Sequence, residues 1–250
     1  MTYARDEVLD MMKNEKYPRS SRYDPDWILQ NMMGSHSLWL QESLARDMNL
    51  KPGMRVLDLG CGKALSSIFL AKEFGLRVWA TDLWIGATDN WKRICEMGME
   101  DFVCPIHADA QALPFAEDFF DVLMSVNSLF FYVTDGDFLR EKILKHVKPG
   151  GEIGVIIPGF HQAYTHGVPE ELKPYWLDEL NKWHTLQWWI DCFEASGIVD
   201  LLVADTLPDN EGSMIYRKSS MMVGAHEEPF NVIARDNITF IRLIARRKEG

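Results

Sequence analysis

The sequence predicts a doubly wound α/β domain, a mostly parallel seven-stranded sheet with helices on both faces. Three observations lead there. From residue 54 onward, short apolar runs alternate with segments of helical period. Most links between them are short and marked by glycine or Pro-Gly, which suits right-handed crossovers between parallel strands. The chain has 250 residues, 47% of them hydrophobic, enough for one such domain with elaborations.

Residues 1–52 read as a helical preamble, with helices over 26–33, after the start signal of Pro25, and over 37–48. Lys51-Pro52-Gly53 turns the chain into the repeating core, 53–157. Strands are expected at 54–59, 77–81, 102–107, 121–126 and 152–157, and helices at 64–74, 87–97 and 137–146. The second half is less regular. An insertion follows the fifth strand at 158–184 and carries His161, Tyr164, His166, Tyr175, Trp176 and Trp183. A helix at 186–196 and strands at 199–204 and 238–246 complete the pattern, with a long Met-rich and polar connection over 208–237. No composition break marks a second domain.

The formal net charge of −11 argues against partners bound by bulk positive charge, whether nucleic acid or an anionic membrane. The stretch from Arg242 to Lys248 is one local basic candidate, or a solvated strand end. The N-terminus is too charged for a secretory signal, and no apolar run approaches the roughly 20 residues that span a bilayer, so a cytoplasmic location is expected. Cys61, Cys95, Cys104 and Cys192 are scattered, and no histidine stands at ligand spacing, so no metal site is expected and the thiols are taken as reduced and mostly buried.

The sharpest signal is Val56-Leu57-Asp58-Leu59-Gly60-Cys61-Gly62-Lys63-Ala64, which ends a strand and opens a helix. Glycines there let the backbone turn tightly and approach a ligand. The spacing fails a Walker loop, and Leu65 stands where a dinucleotide fingerprint needs its third glycine. What remains is an acid, Gly-x-Gly, and a second acid, Asp82, ending the next strand, the position from which a carboxylate accepts ribose hydroxyls.

Residues 54–157 resemble class I S-adenosylmethionine-dependent methyltransferases, in particular their small-molecule, type 11-like branch. Asp58-Leu59-Gly60-Cys61-Gly62 is similar to their first motif, Asp82-Leu83 to the ribose-binding position, 108–115 to the adenine segment, 121–125 to the fourth-strand motif and 147–151 to the turn before the fifth strand. The resemblance implies a Rossmann-like fold and S-adenosyl-L-methionine as cofactor, with S-adenosyl-L-homocysteine as product. It implies a cofactor site made by Asp58, Gly60, Cys61, Gly62, Asp82, Leu83, Asp109, Ala110 and Ser125, in which Asp109 takes the adenine amine and the Ala110 N–H a ring nitrogen. One departure is Ala64, where a third glycine is usual. Each acid also has a bland reading as a turn or helix cap. Trp84 is either an adenine wall or core.

Methyl transfer is an in-line displacement, so the main task of such a protein is alignment and exclusion of water. The residues after the fourth and fifth strands should face the methyl. They supply the candidates His161 as a base, or as an ordinary loop residue, and Tyr132 and Asn127 as groups that orient the acceptor or fill the core. The preamble and the insertion are expected to cover a small-molecule acceptor, with Tyr23, His36, His161 and Tyr164 near the methyl. Two other functions share these residues: a cofactor-using relative with a different reaction, and a non-catalytic sensor.

Overall fold

The computed structural model describes residues 4–165, 167–224 and 237–249. Seven strands form one sheet: β1 (Arg55–Leu59), β2 (Arg77–Asp82), β3 (Val103–His107), β4 (Phe120–Val126), β5 (Val147–Phe160), β6 (Val199–Thr206) and β7 (Ile238–Arg247). Their order is β3-β2-β1-β4-β5-β7-β6. The first five pair in parallel, and β7 runs antiparallel between β5 and β6. The parallel strands read as near-continuous apolar runs because helices cover both faces. Val56, Leu57, Leu59, Val122, Leu123 and Met124 are all buried. The direction of winding reverses between β1 and β4, which leaves a crevice outside their carboxyl ends.

The helices are α1 (Arg5–Met11), α2 (Pro25–Asn31), α3 (Ser37–Ala45), α4 (Leu65–Phe74), α5 (Ala87–Glu96), a short α6 (Gly136–Phe138), α7 (Leu186–Ala195) and α8 (Glu211–Met222). Helix α2 starts as its sequence signals: Pro25 takes the first position and Asp24 accepts the Asp26 and Trp27 N–H groups. Helix α3 is buried on every side, even at Gln41 and Glu42. The Glu42 carboxylate accepts from the Arg19 and Ser20 N–H groups and the Ser20 hydroxyl, which pins the preceding turn onto α3.

Three expectations change. The helix expected over 137–146 is α6 followed by a wide π turn at Leu139–Ile143 and a 3-10 turn at Leu144–His146, with Leu139, Ile143 and Leu144 all buried. Strand β5 extends far beyond 152–157. At its start the Pro-Gly-Gly turn is absorbed as an irregularity between the pairs Phe120–Val147 and Val122–Glu152. At its end β7 keeps supplying partners, down to Phe160–Ile238, after β4 has stopped. The connection over 208–237 contains α8, which no cap advertised: its first flanking residue, Asn210, is left-handed and makes no side-chain cap. Residues 225–236 of that connection, and His166 of the insertion, lie outside the described residues.

The basic end of the chain is neutralised. Arg242 forks onto Asp205 at 2.9 and 2.7 Å and also meets Asp47; Arg246 meets Glu152, Arg247 meets Asp118, and Lys248 lies 3.9 Å from Asp200. Of the four thiols, Cys61 and Cys192 are buried but Cys95 and Cys104 are exposed, so the expectation of mostly buried cysteines is corrected. Among the described residues no helix is long and apolar enough to cross a membrane.

Helix α8 lies directly on β7. A Cβ on Gly212 would stand 2.5 Å from the Phe240 nitrogen and 3.0 Å from the Thr239 Cα, both backbone atoms that have nowhere to go. Gly212→Ala should therefore lift α8 from the sheet and destabilise the fold by roughly 1–3 kcal/mol, the usual range for overpacking, read as a lowered denaturant midpoint.

Candidate functional site

A cavity of about 600 Å³ opens at the carboxyl ends of β1, β2 and β4. One end is built on the glycine loop. Gly60 and Gly62 hold φ of +75° and +54°. A Cβ on Gly60 would fall 1.7 Å from the Ser128 Oγ, so the loop after β4 packs on the bare backbone. The Gly60 and Cys61 N–H groups donate to the Thr81 carbonyl at 2.8 and 3.1 Å, and Asn90 of α5 donates to the Gly62 carbonyl at 2.9 Å. Ala64 sits left-handed at φ +62°, which is the physical reason for a glycine at that position and marks a strained one here.

Asp82 ties this loop to the next. Its Oδ2 accepts the Gly62 N–H at 2.8 Å, and its Oδ1 accepts Trp84 and Ile85 N–H groups at 2.8 and 2.9 Å. A carboxylate has about four acceptor sites. Three are occupied, so Oδ2 retains one, and the residue lines the cavity. Leu83, Trp84, Asp109 and Ala110 line the same end, with the Trp84 ring edge-on to Phe131 at 5.0 Å. Asp109 spends one oxygen on the Gln111 N–H, a cap, and keeps the other. Trp84 is thus a wall of the cavity rather than core.

Two residues expected at the cofactor stand behind the loop instead. Asp58 is fully buried beneath it, with Oδ2 accepting the Ser66 and Ser67 hydroxyls at 2.6 Å each and Oδ1 buried without a partner. Burial raises its pKa to about 6 against the two serine hydrogen bonds. The buried Ser125 hydroxyl donates to the Leu59 carbonyl at 2.9 Å. Neither lines the cavity, and both support the loop that does.

The other end of the cavity is aromatic. Asn127, at φ +57°, donates its N–H to the Ile156 carbonyl at 2.9 Å, and its Oδ1 is buried without a partner. The Tyr132 hydroxyl lies 3.0 Å from the Ser128 Oγ, and burial pushes its pKa up, so it stays a neutral phenol. Both line the cavity. His161 does not: it is exposed at the start of the insertion, and its backbone N–H donates to the Asn237 carbonyl. Tyr23, His36 and Tyr164 are also absent from the lining. Tyr23 meets Glu73 on α4, and Tyr164 packs on Phe160 and Trp176. His36 stacks on Trp39 at 4.1 Å, its Nδ1 accepting the Trp39 N–H, and burial lowers its pKa to about 3.

In their place come residues the sequence did not single out. The preamble contributes Met33, Gly34 and Ser35, the insertion Leu177, Glu179 and Lys182, and α8 contributes Tyr216, Ser219 and Ser220. The His36 N–H donates to the Ser219 Oγ at 2.9 Å, and Tyr17 donates to Glu211, so preamble and α8 hold each other. The apolar periodicity of 214–222 was the available signal for α8; the serines among those positions obscured it.

A family model described as a methyltransferase domain matches residues 56–151. A 2-methyl-6-phytyl-1,4-hydroquinone methyltransferase of Synechocystis is 30% identical over 159 residues, which cover 60% of this chain and 48% of that protein. The chain thus spans about half the length of that curated relative. Among solved structures, a phosphoethanolamine N-methyltransferase 2 of Haemonchus contortus superposes with a TM-score of 0.71 at 20% identity, covering 97% of this chain and 60% of the other. The cyclase SpnF superposes with a TM-score of 0.69 at 19% identity, covering 85% and 81%. At those identities the likenesses establish the fold, and one fold hosts different reactions.

Two outcomes follow from this geometry. Removing Asp82 as an acceptor should weaken binding of S-adenosyl-L-homocysteine: one charge-assisted hydrogen bond is worth roughly 1.5–3 kcal/mol, so Asp82→Ala should raise Kd about ten- to a hundredfold by calorimetry. An unchanged Kd would show that neither its free acceptor site nor its hold on the glycine loop matters to binding. Asp58 has a folded pKa of about 6, above its ordinary 3.8, so between those values the folded state holds a proton that the unfolded state has lost. Its contribution is full below about pH 4 and declines as pH rises to about 6, a loss on the order of 3 kcal/mol. Asp58→Asn should remove that decline in urea midpoints measured from pH 4 to pH 7.

Proposed function

We propose that the chain is a class I S-adenosylmethionine-dependent methyltransferase that transfers a methyl group from S-adenosyl-L-methionine to a small-molecule acceptor; the methyltransferase-domain match over 56–151 and the 30% identity to a hydroquinone methyltransferase support this reading. The observation that carries the reading is Asp82. Its Oδ2 keeps one acceptor site, and the residue lines the cavity beside the glycine loop, which fits a ribose hydroxyl. Asp109 and the Ala110 N–H fit an adenine edge, and Leu83 and Trp84 fit its faces.

Bound there, the cofactor supplies a methyl group made electrophilic by its sulfonium. The protein's own part is then alignment. The backbone of Gly60 to Gly62, clamped by Thr81 and Asp82, fixes one partner, while Asn127 and Tyr132 orient the other. Phe130, Phe131 and Trp183 keep water from the space between. Where the acceptor arrives protonated, Glu179 takes the proton: it is the carboxylate that the insertion brings to the described lining, Asp82 and Asp109 coming from the end of β2 and the loop after β3, and it is exposed enough to pass the proton on to water. His161 has no part in this scheme, because it is not brought to the cavity.

Calorimetry should show S-adenosyl-L-homocysteine binding and no comparable binding of NAD. Labelled S-adenosyl-L-methionine supplied with a small-metabolite extract should yield S-adenosyl-L-homocysteine and a labelled product. Tight NAD binding without binding of the methyl-donor product would overturn the reading.

A further inference from the structure

Large apolar side chains exposed to water are informative when they cluster. Eight such side chains stand exposed among the described residues, and Trp91, Phe102 and Leu202 are scattered. The other five ring the mouth of one cavity: Met33 (38% exposed), Leu83 (51%), Trp84 (64%), Leu177 (48%) and Val223 (58%). Leu83 and Trp84 belong to its cofactor end. So does Met33, whose Sδ would stand 3.1 Å from a Cβ on Gly62. Leu177 and Val223 do not, and they come from two separate segments, the insertion and the end of α8.

This rim continues inward into an unbroken arc of rings. Trp84 meets Phe131 at 5.0 Å, Phe131 meets Phe130 at 4.2 Å, Phe130 meets Trp183 at 6.1 Å, and Trp183 meets Tyr216 at 5.5 Å. All five rings line the cavity. No arginine is among the described lining residues, and its two lysines are engaged, Lys63 by the Gln30 carbonyl and Lys182 by the Phe131 ring at 5.4 Å.

Building on the methyl-transfer reading, we propose that the acceptor is an amphiphile, with a planar unsaturated head against the aromatic arc and an apolar tail leaving across Leu177 and Val223. The head gains ring–ring contacts. The tail covers surface that otherwise costs free energy in water. The insertion carries both Leu177 and Trp183, and α8 carries Tyr216 and ends beside Val223, which assigns rim and interior to one molecule. The net charge of −11 speaks against an anionic bilayer as the occupant.

The test is a series of 4-n-alkylphenols, from ethyl to hexyl, titrated into the full chain by calorimetry. Each added methylene should tighten Kd by about fourfold, the transfer free energy of one buried CH₂. In the double variant Leu177→Ser, Val223→Ser the gain should fall to about twofold or less, with S-adenosyl-L-homocysteine binding unchanged. Both positions are exposed, and unaltered circular dichroism together with the single variant Val223→Ser guards against misfolding. A Kd independent of chain length overturns the proposal, as does an undiminished gain in the variants. So does sedimentation with phosphatidylcholine vesicles that the variants abolish while the alkyl series stays flat, which would make the rim a lipid-docking surface. If the alkyl series behaves as expected while S-adenosyl-L-homocysteine does not bind, the methyl-transfer reading fails and the amphiphile site stands.

Discussion

The Asp82 carboxylate gathers three backbone N–H groups from two loops: Gly62 from after β1, and Trp84 and Ile85 from after β2. Those loops end neighbouring parallel strands, where the sheet stops supplying partners and the backbone groups would otherwise point into the cavity unpaired. One buried carboxylate satisfies all three and fixes the shape of the glycine loop. Everything around it is arranged to keep it there. Thr81 accepts from Gly60 and Cys61, Ser125 holds the Leu59 carbonyl, and Asn90 holds Gly62 from the side of α5. Asp58 braces the start of α4 through two serines. The acids of the first two strands therefore do different work. One faces the cavity with an acceptor site to spare; the other is sealed beneath the loop, where burial makes it reluctant to ionise.

Nothing so rigid builds the other end. Its walls come from the preamble, the insertion and α8, segments far apart in the chain that hold one another through Ser219, Tyr17 and Glu211. Helix α8 reaches its place because Gly212 lets it lie directly on β7, and β7 lies beside β5 because the last two strands turn antiparallel. The aromatic end of the cavity thus depends on the antiparallel edge of the sheet, and the loop end on the parallel centre. The two ends of the cavity are carried by different parts of the fold, and one fold hosts different reactions.

Charge has a similar division. The basic cluster near the C-terminus pairs with Asp205, Asp47, Glu152 and Asp118 and so ties β7 to its neighbours. The described lining of the cavity keeps only a few charges, and Lys182 rests on an aromatic ring.

The sequence by itself determined the sheet, the reversal of winding and the cavity's loop end. Those depend on local signals, namely apolar runs, short turns, Gly60-Cys61-Gly62 and an acid closing the next strand, and parallel crossovers have one hand. It also placed Asn127 and Tyr132 beside the cavity, since a residue just past β4 has nowhere else to go. Which other residues line it only the tertiary structure decided. His161 follows β5 as Asn127 follows β4, yet β7 carries β5 past the cavity and leaves His161 in solvent. Asp58 and Ser125 sit within motifs, but the pleat turns both beneath the loop. Tyr216, Ser219 and Glu179 carry no motif at all; they line the cavity because α8 and the insertion fold back over it, through contacts between segments distant in sequence that no local pattern encodes.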